Sequence, residues 1–365
     1  MRIAYSCAGE GFGHAARTSV LGPMLERGHK VFYFAPETVR GFLEAKIGRR
    51  DISIIPQFSF DKRGEQVLLL GSIVKNLPVA ASLPAETAAL SKRLRDLRID
   101  AVVSDFEPFL PRAAWMAGLP VFQINHPGIV QRVGCVHPLA WLTAIASRLL
   151  EGPWHERVHI SFYGGDAGPI LRRELFRHRV SDGDYVLLNL KPCYRPGVLP
   201  EFERLGIAYK VFPGGQGDFE EALAGCSCVV SSAGHQIIAE ALALGKPILV
   251  IPQRGQWEQR LNASKVEETG KGMATTFARL ADDLPAFLAR LGEFRAASLP
   301  DRFDAKDNSA KIAAMIRDFL KRRCAKRAFS PSAAPALAPN AVARPAANAV
   351  ARPAANAIER PAASA

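Results

Sequence analysis

Long apolar runs are missing from this chain. No stretch of about 18 consecutive apolar residues occurs among its 365 residues, so nothing in the sequence reads as a membrane span. Cysteine is sparse and scattered, at positions 7, 135, 193, 226, 228 and 324. Cys226 and Cys228 share an apolar strand with no second Cys or His cluster nearby, which argues against a zinc site or a disulfide framework. No Asp-x-Asp fits a ligand site, and Asp282-Asp283 fall in a late loop, so no resident metal is expected. The first residues, MRIAYS, enter a strand without a basic-then-apolar leader. The expected location is therefore the cytoplasm, with a peripheral place on the inner face of the membrane as the one elaboration. What is present is ordinary for a globular chain: 48% hydrophobic, 22% charged, and long enough for two cores. The net charge of +12 is uneven, because the stretch from Lys321 onward carries eight basic residues against Glu359 alone. That stretch repeats NAVARPAA at 340–347 and 348–355 and closes with NAIERPAA, a composition that cannot bury a core. A disordered basic tail over 325–365 is expected, and no nucleic-acid partner.

The most informative stretch runs from Val229 to Ala263. Cys228–Ser231 is short, apolar and β-branched, as a buried parallel strand should be. Ser232, Ala233, Gly234 and His235 follow as a tight turn, with Ser232 placed to cap a helix. Ile237, Ile238, Ala241 and Leu242 recur at helical spacing, and Gly245 stands where a helix end wants a left-handed residue. Ile248–Ile251 is a second buried strand, ended by Pro252 before a polar loop. Small residues ahead of a helix leave N–H groups at the positive end of its dipole, an anion site suited to phosphate. Glu240, one turn further on, suits ribose hydroxyls, and Glu258 with Gln259 can grip sugar hydroxyls from the far side.

This order of elements resembles the donor-binding motif of GT-B nucleotide-sugar glycosyltransferases, in particular the MurG-like and UDP-glycosyltransferase branches. Glu258-Gln259 stands where that family more often has Asp-Gln or Gln-Gln, which leaves the sugar open. Near the start, Gly9-Glu10-Gly11-Phe12-Gly13-His14-Ala15-Ala16-Arg17 follows the strand Arg2–Cys7. It is similar to the N-terminal signature of a MurG-like subfamily, and its glycine spacing is not that of a dinucleotide site. The resemblance covers 1–320 and implies two Rossmann-like domains facing across a cleft. The expected division is 1–160 for the acceptor side, 161–182 for the passage, 183–305 for the donor side and 306–324 for a helix packing back, with the tail at 325–365.

His14 closes the glycine turn, and Asp105 ends the strand Asp100–Ser104, so both stand on the C-terminal edge of one parallel sheet. His126, after Val121–Asn125, shares that edge and is read chiefly as structural. Phe58–Glu65 is expected as loop, Leu68–Leu97 as helix broken at Pro78 and Pro84, and 151–182 as irregular chain. Leu139–Leu150 is apolar nearly all round, and is either a buried helix or an acceptor-side surface that meets a membrane.

The resemblance implies transfer of a hexosyl group, N-acetylhexosaminyl included, from a UDP-sugar to an acceptor hydroxyl on a glycan, lipid-linked saccharide or small molecule. Transfer would be inverting and metal-independent, with the UDP-sugar a co-substrate rather than a cofactor. His14 would serve as base and Asp105 would fix its tautomer. Gly11, Gly13, Ser232, Ala233, Gly234 and His235 would line the donor phosphates, with the backbone after Phe212 beside the nucleobase. Two alternatives share the fold: a UDP-sugar epimerase, and a nucleotide-binding module without turnover.

Overall fold

The computed structural model describes residues 1–49, 51–63, 66–132, 138–215 and 217–329. The first half contains β1 (Arg2–Cys7), α1 (Phe12–Glu26), β2 (Lys30–Ala35), α2 (Glu37–Ile47), β3 (Ser53–Ile54), β4 (Asp61–Arg63) and β5 (Gln66–Leu68). It continues with α3 (Leu69–Asp96), β6 (Ala101–Asp105), α4 (Phe109–Met116), β7 (Val121–Asn125), α5 (Pro138–Leu150) and β8 (Glu156–His159). Six of these strands form one parallel sheet in the order β3-β2-β1-β6-β7-β8. Isoleucine, valine and aromatic side chains fill both faces, as sheets flanked by helices on both sides require.

The second half opens with β9 (Val186–Asn189), α6 (Leu199–Arg204), β10 (Tyr209–Phe212), α7 (Phe219–Gly225), β11 (Cys228–Ser232), α8 (His235–Ala243) and β12 (Ile248–Ile251). It ends with α9 (Trp257–Thr269), β13 (Gly272–Ala274), α10 (Leu280–Ala289), α11 (Leu291–Ala296) and α12 (Ser309–Phe329). Its sheet is parallel throughout, in the order β10-β9-β11-β12-β13. Two parallel sheets in a mixed α/β architecture match the two Rossmann-like domains that the resemblance implies. α12 crosses back: Ile312, Ala313, Ile316, Phe319 and Leu320 are buried in the core of the first half, with Phe319 against Phe122.

Several local expectations need correction. Phe58–Glu65 is not all loop, because β4 and β5 pair antiparallel from Asp61↔Leu68 to Arg63↔Gln66. This hairpin reaches the second half: Val67 N–H donates to the Arg254 carbonyl at 2.9 Å. α3 runs unbroken through Pro78 and Pro84. Both prolines are exposed, so water can take the carbonyls they leave without partners. The stretch 151–182 contains β8, a polar strand (ERVH) pairing with β7 at the sheet edge. α12 extends to Phe329, into the segment expected as tail; the repeats from 340 lie outside the described residues.

α5 is not a buried helix: Trp141, Ile145 and Leu149 stand exposed along one face, as do Leu70, Ile73, Val74 and Leu77 along the start of α3. No helix among the described residues is long and apolar enough to cross a membrane.

Candidate active site

The catalytic candidates meet where the two halves touch. β1 and β6 are neighbours in register, Cys7 opposite Asp105, so the chain after β1 emerges beside the end of β6. Gly11, at φ 87°, turns that chain into α1 and acts as its N-cap. A Cβ added at Gly13 would stand 3.4 Å from Gln236 Cβ, so the start of α1 abuts the first turn of α8.

His14 Nδ1 lies 2.7 Å from Asp105 Oδ1. Arg17, one turn along α1 from His14, forks onto the same carboxylate: Nε donates to Oδ2 at 2.8 Å and Nη2 to Oδ1 at 2.7 Å. Asp105 is wholly buried and Arg17 nearly so, whereas His14 keeps an exposed edge. Burial pushes the Asp105 carboxyl up, but Arg17 and His14 outweigh it and hold the pKa at about 2. Arg17 Nη2 also stands 2.7 Å from His14 Nδ1, so that nitrogen faces both members of the ion pair; with the Nδ1 proton given to the carboxylate, Nε2 is the basic nitrogen. Phe106 follows at φ 52°, a strained conformation for a bulky residue, and its ring stacks over His14 with centroids 6.2 Å apart. Sequence reasoning passed over Arg17; its signal was the three-residue spacing from His14, which puts both on one face of α1.

His126 is also in the site. Its Nδ1 bonds the Ile160 carbonyl at 2.9 Å, its Nε2 faces Glu258 Oε1 at 3.4 Å, and its ring stacks on His235 at 3.7 Å. The Glu258 carboxyl is raised by burial, yet held below its ordinary range by His126, His14 and Arg17.

The turn before α8 has the expected strand–turn–helix shape, with two differences. The N-cap is Gly234, not Ser232, and no side chain caps the helix. His235 turns inward: it is buried, and its Nε2 accepts a hydrogen bond from Phe162 N–H at 3.2 Å. Ala233 is held from behind, because Asn262 Nδ2 donates to its carbonyl at 3.1 Å while Tyr163 Oη donates to Asn262 Oδ1 at 2.7 Å. That ordering accounts for an asparagine three residues after Gln259. Gln259 itself closes the loop, its Oε1 accepting from Gln253 N–H at 2.9 Å. Phe212 is a core side chain packed edge-on against Phe219, and the glycine that follows its proline, Gly214, takes φ 86°.

Glu240 is wholly buried. Arg172 Nε donates to its Oε1 at 2.7 Å and Arg172 Nη2 to its Oε2, while Gln236 Nε2 donates to Oε1 at 2.8 Å. The ribose contact expected of this carboxylate therefore requires it to exchange Arg172 for the sugar. Arg172 also bonds Glu220 at 3.1 Å, and Lys46 of α2 bonds Glu220 at 2.8 Å. A single charge chain thus links both halves to the helix that follows the Ser232–Gly234 turn.

Burial and the neighbouring His126 push His235 well below the ordinary histidine range. A histidine with a depressed folded pKa stays neutral while the unfolded chain takes up a proton. Its stabilising effect is complete above about pH 6.5 and declines as the pH falls below that value. In chemical denaturation, His235→Asn should flatten the loss of stability between pH 7.5 and 5.5 by up to about 1.4 kcal/mol per pH unit. His155 and His159, also lowered by burial, should leave a residual slope in both proteins. An unchanged slope would mean that the buried ring is hydrated.

A family model described as Glycosyl transferase family 1 matches residues 1–147 and 201–292. A protein of Methanosarcina acetivorans named "Uncharacterized glycosyltransferase" is 26% identical over 337 residues, covering 76% of this chain and 86% of its own. A Sorangium cellulosum protein is 33% identical over 266 residues, covering 67% of this chain and 60% of its own. It is named UDP-N-acetylglucosamine--N-acetylmuramyl-(pentapeptide) pyrophosphoryl-undecaprenol N-acetylglucosamine transferase. Among solved structures, Spinosyn Rhamnosyltransferase SpnG superposes with a TM-score of 0.53 at 16% identity, covering 87% of this chain and 99% of that one. MurG of Acinetobacter baumannii gives 0.50 at 14%, with the same coverage. At such identities the structural likeness speaks to fold, and the fold is GT-B.

Proposed function

Since this chain belongs to glycosyl transferase family 1 and is a glycosyltransferase, we propose that it moves a hexosyl group from a UDP-sugar to an acceptor hydroxyl, with inversion and with His14 as base. The observation that carries this reading is the His14–Asp105 contact at 2.7 Å, set on an open sheet edge against the first turn of α8. The acceptor oxygen attacks the anomeric carbon while its proton passes to His14 Nε2. The bond from that carbon to the diphosphate oxygen breaks, and UDP leaves with the electron pair. Asp105 stabilises the imidazolium that forms. The N–H groups of the Ser232–His235 turn and the dipole of α8 meet the charge on the leaving diphosphate. One displacement on one face inverts the anomeric centre.

A thermal-shift panel of nucleotide sugars followed by a transfer assay tests the donor. UDP-hexoses should stabilise the chain, UDP should be released only when an acceptor is present, and EDTA should leave the rate unchanged. Turnover of UDP-N-acetylglucosamine without acceptor would instead indicate epimerisation, and loss of rate with EDTA would overturn metal independence.

The Sorangium relative is named for a polyprenyl-linked acceptor. The exposed apolar faces of α3 and α5 would suit an acceptor whose lipid stays in a membrane, as would a peripheral location there. Leu70→Ser with Leu77→Ser should reduce co-sedimentation with anionic liposomes and leave transfer to a water-soluble acceptor intact. Equal sedimentation of variant and native chain would remove α3 from the reading.

A further inference from the structure

Glu10 lies in the glycine turn between β1 and α1, outside the His14 cluster. Two lysines from separate segments converge on its carboxylate: Lys62, carried by the β4–β5 hairpin, and Lys191, just beyond β9 at 3.2 Å. Glu10 is raised by burial, yet held below its ordinary range by Lys191 and Lys62. Lys62 in turn is pushed down by burial and by the neighbouring Lys191 charge. One carboxylate faces two ammonium groups, so the cluster holds a surplus positive charge in a partly buried place.

Its position is set by the sheet. Asn189, at the end of β9, stands opposite Ser231 at the end of β11, and Ser231 Oγ donates to the Asn189 carbonyl at 3.0 Å. Lys191 therefore leaves the same sheet edge as the Ser232–Gly234 turn. Glu10 lies three residues before Gly13, which abuts the first turn of α8. Lys62 is brought in by a hairpin anchored to the second half through Val67 and Arg254. Glycine turn, hairpin and β9 end thus enclose one point beside the donor turn, and two helix N-termini add their positive ends there.

We infer that Lys62 and Lys191 form a clamp for the diphosphate of the donor, and that Glu10 is an internal anion which the diphosphate displaces. The inference rests on the donor reading above and adds to it the residues that take the leaving charge. A diphosphate carries more negative charge than one carboxylate, so the exchange neutralises what Glu10 leaves unbalanced. As the bond to the anomeric carbon breaks, the new charge develops on an oxygen already facing two ammonium groups. The hairpin contributes Lys62 while it is docked on the second half through Val67 and Arg254.

Calorimetry on the full chain, with UDP, inorganic pyrophosphate and uridine as probes, tests the clamp. Lys191→Met and Lys62→Met should each weaken UDP and pyrophosphate about tenfold or more and leave uridine unchanged. Glu10→Gln, which removes the competing anion, should tighten UDP several-fold. Equal UDP affinity in all three variants would overturn the clamp. So would a Glu10→Gln loss matching that of Lys191→Met, since Glu10 would then be a strut that holds the lysines. Lys191→Gln repeats the measurement should the methionine variant fail to fold. A native chain that binds pyrophosphate as tightly as UDP, with both lost in the lysine variants, would keep the clamp and remove the nucleotide reading. A native chain that binds neither would remove both.

Discussion

Replacing His14 with alanine is expected to lower kcat by about 10²–10⁴-fold while UDP affinity stays close to native. The expectation follows from where the imidazole is tied. Its Nδ1 is committed to Asp105, and that contact fixes the ring so that Nε2 is the nitrogen able to receive a proton. Nothing in this arrangement requires the ring to hold the donor, because Nδ1 faces Asp105 and Nε2 is the nitrogen assigned to the acceptor proton. A base removes its contribution from the chemical step, so the loss should fall on kcat and leave donor binding alone. Asp105→Asn should cost less, and the double variant should cost less than the two losses combined, because the carboxylate acts through the ring. If His14→Ala weakens UDP binding by the same factor as it lowers kcat, the imidazole is a phosphate ligand and the base must be sought elsewhere.

The second large effect concerns folding. Arg17→Met should destabilise the chain by about 3–5 kcal/mol, the cost of stranding one member of a buried ion pair. Asp105 is wholly buried, and without the guanidinium only His14 would remain to compensate it. In the native chain the Asp105 pKa of about 2 lies below that of an unfolded aspartate. Its stabilising effect is therefore complete above about pH 4 and disappears as the pH falls toward 2. In Arg17→Met that acid-side loss should shrink, since without the cation the folded carboxyl rises toward the unfolded value and the two states take up protons over the same pH range. Adding Asp105→Asn removes the stranded charge and should recover most of the lost stability. Urea denaturation of the three proteins from pH 3 to 7 measures both effects. An Arg17→Met protein within about 1 kcal/mol of native across that range would mean that water reaches the pair, and the burial argument would fail.

The second half was legible because its physics is repetitive. Strands such as Ile248–Ile251 are buried on both faces and read as unbroken apolar runs, and Gly245 marks a helix end that only a left-handed residue makes cheaply, here at φ 69°. β8 was not legible, because an edge strand with polar residues carries no such pattern. The hairpin at 61–68 was hidden for a related reason: part of what holds it is backbone from the second half, and a sequence window shows only itself. Glu240 shows the other limit. Its place in the motif was evident, but its present partner, Arg172, lies 68 residues away in a stretch with no periodicity. Arg17 was overlooked because an arginine on a helix ordinarily reads as a surface residue, and only the fold reveals the carboxylate that lets it be buried.

The helix Ser309–Phe329 places Ile312, Ile316, Phe319 and Leu320 inside the core built by the beginning of the chain. Order of synthesis and order of completion are therefore opposed. A ribosome delivers β1 and α1 first, yet the pocket that receives Ile312, Ile316 and Phe319 stays unfilled until nearly the whole chain has emerged. The first half must wait with that apolar surface uncovered, while the second half already has most of its own sheet. A fragment cut after the first half would lack these core side chains, and supplying the helix as a separate peptide would be the way to restore them.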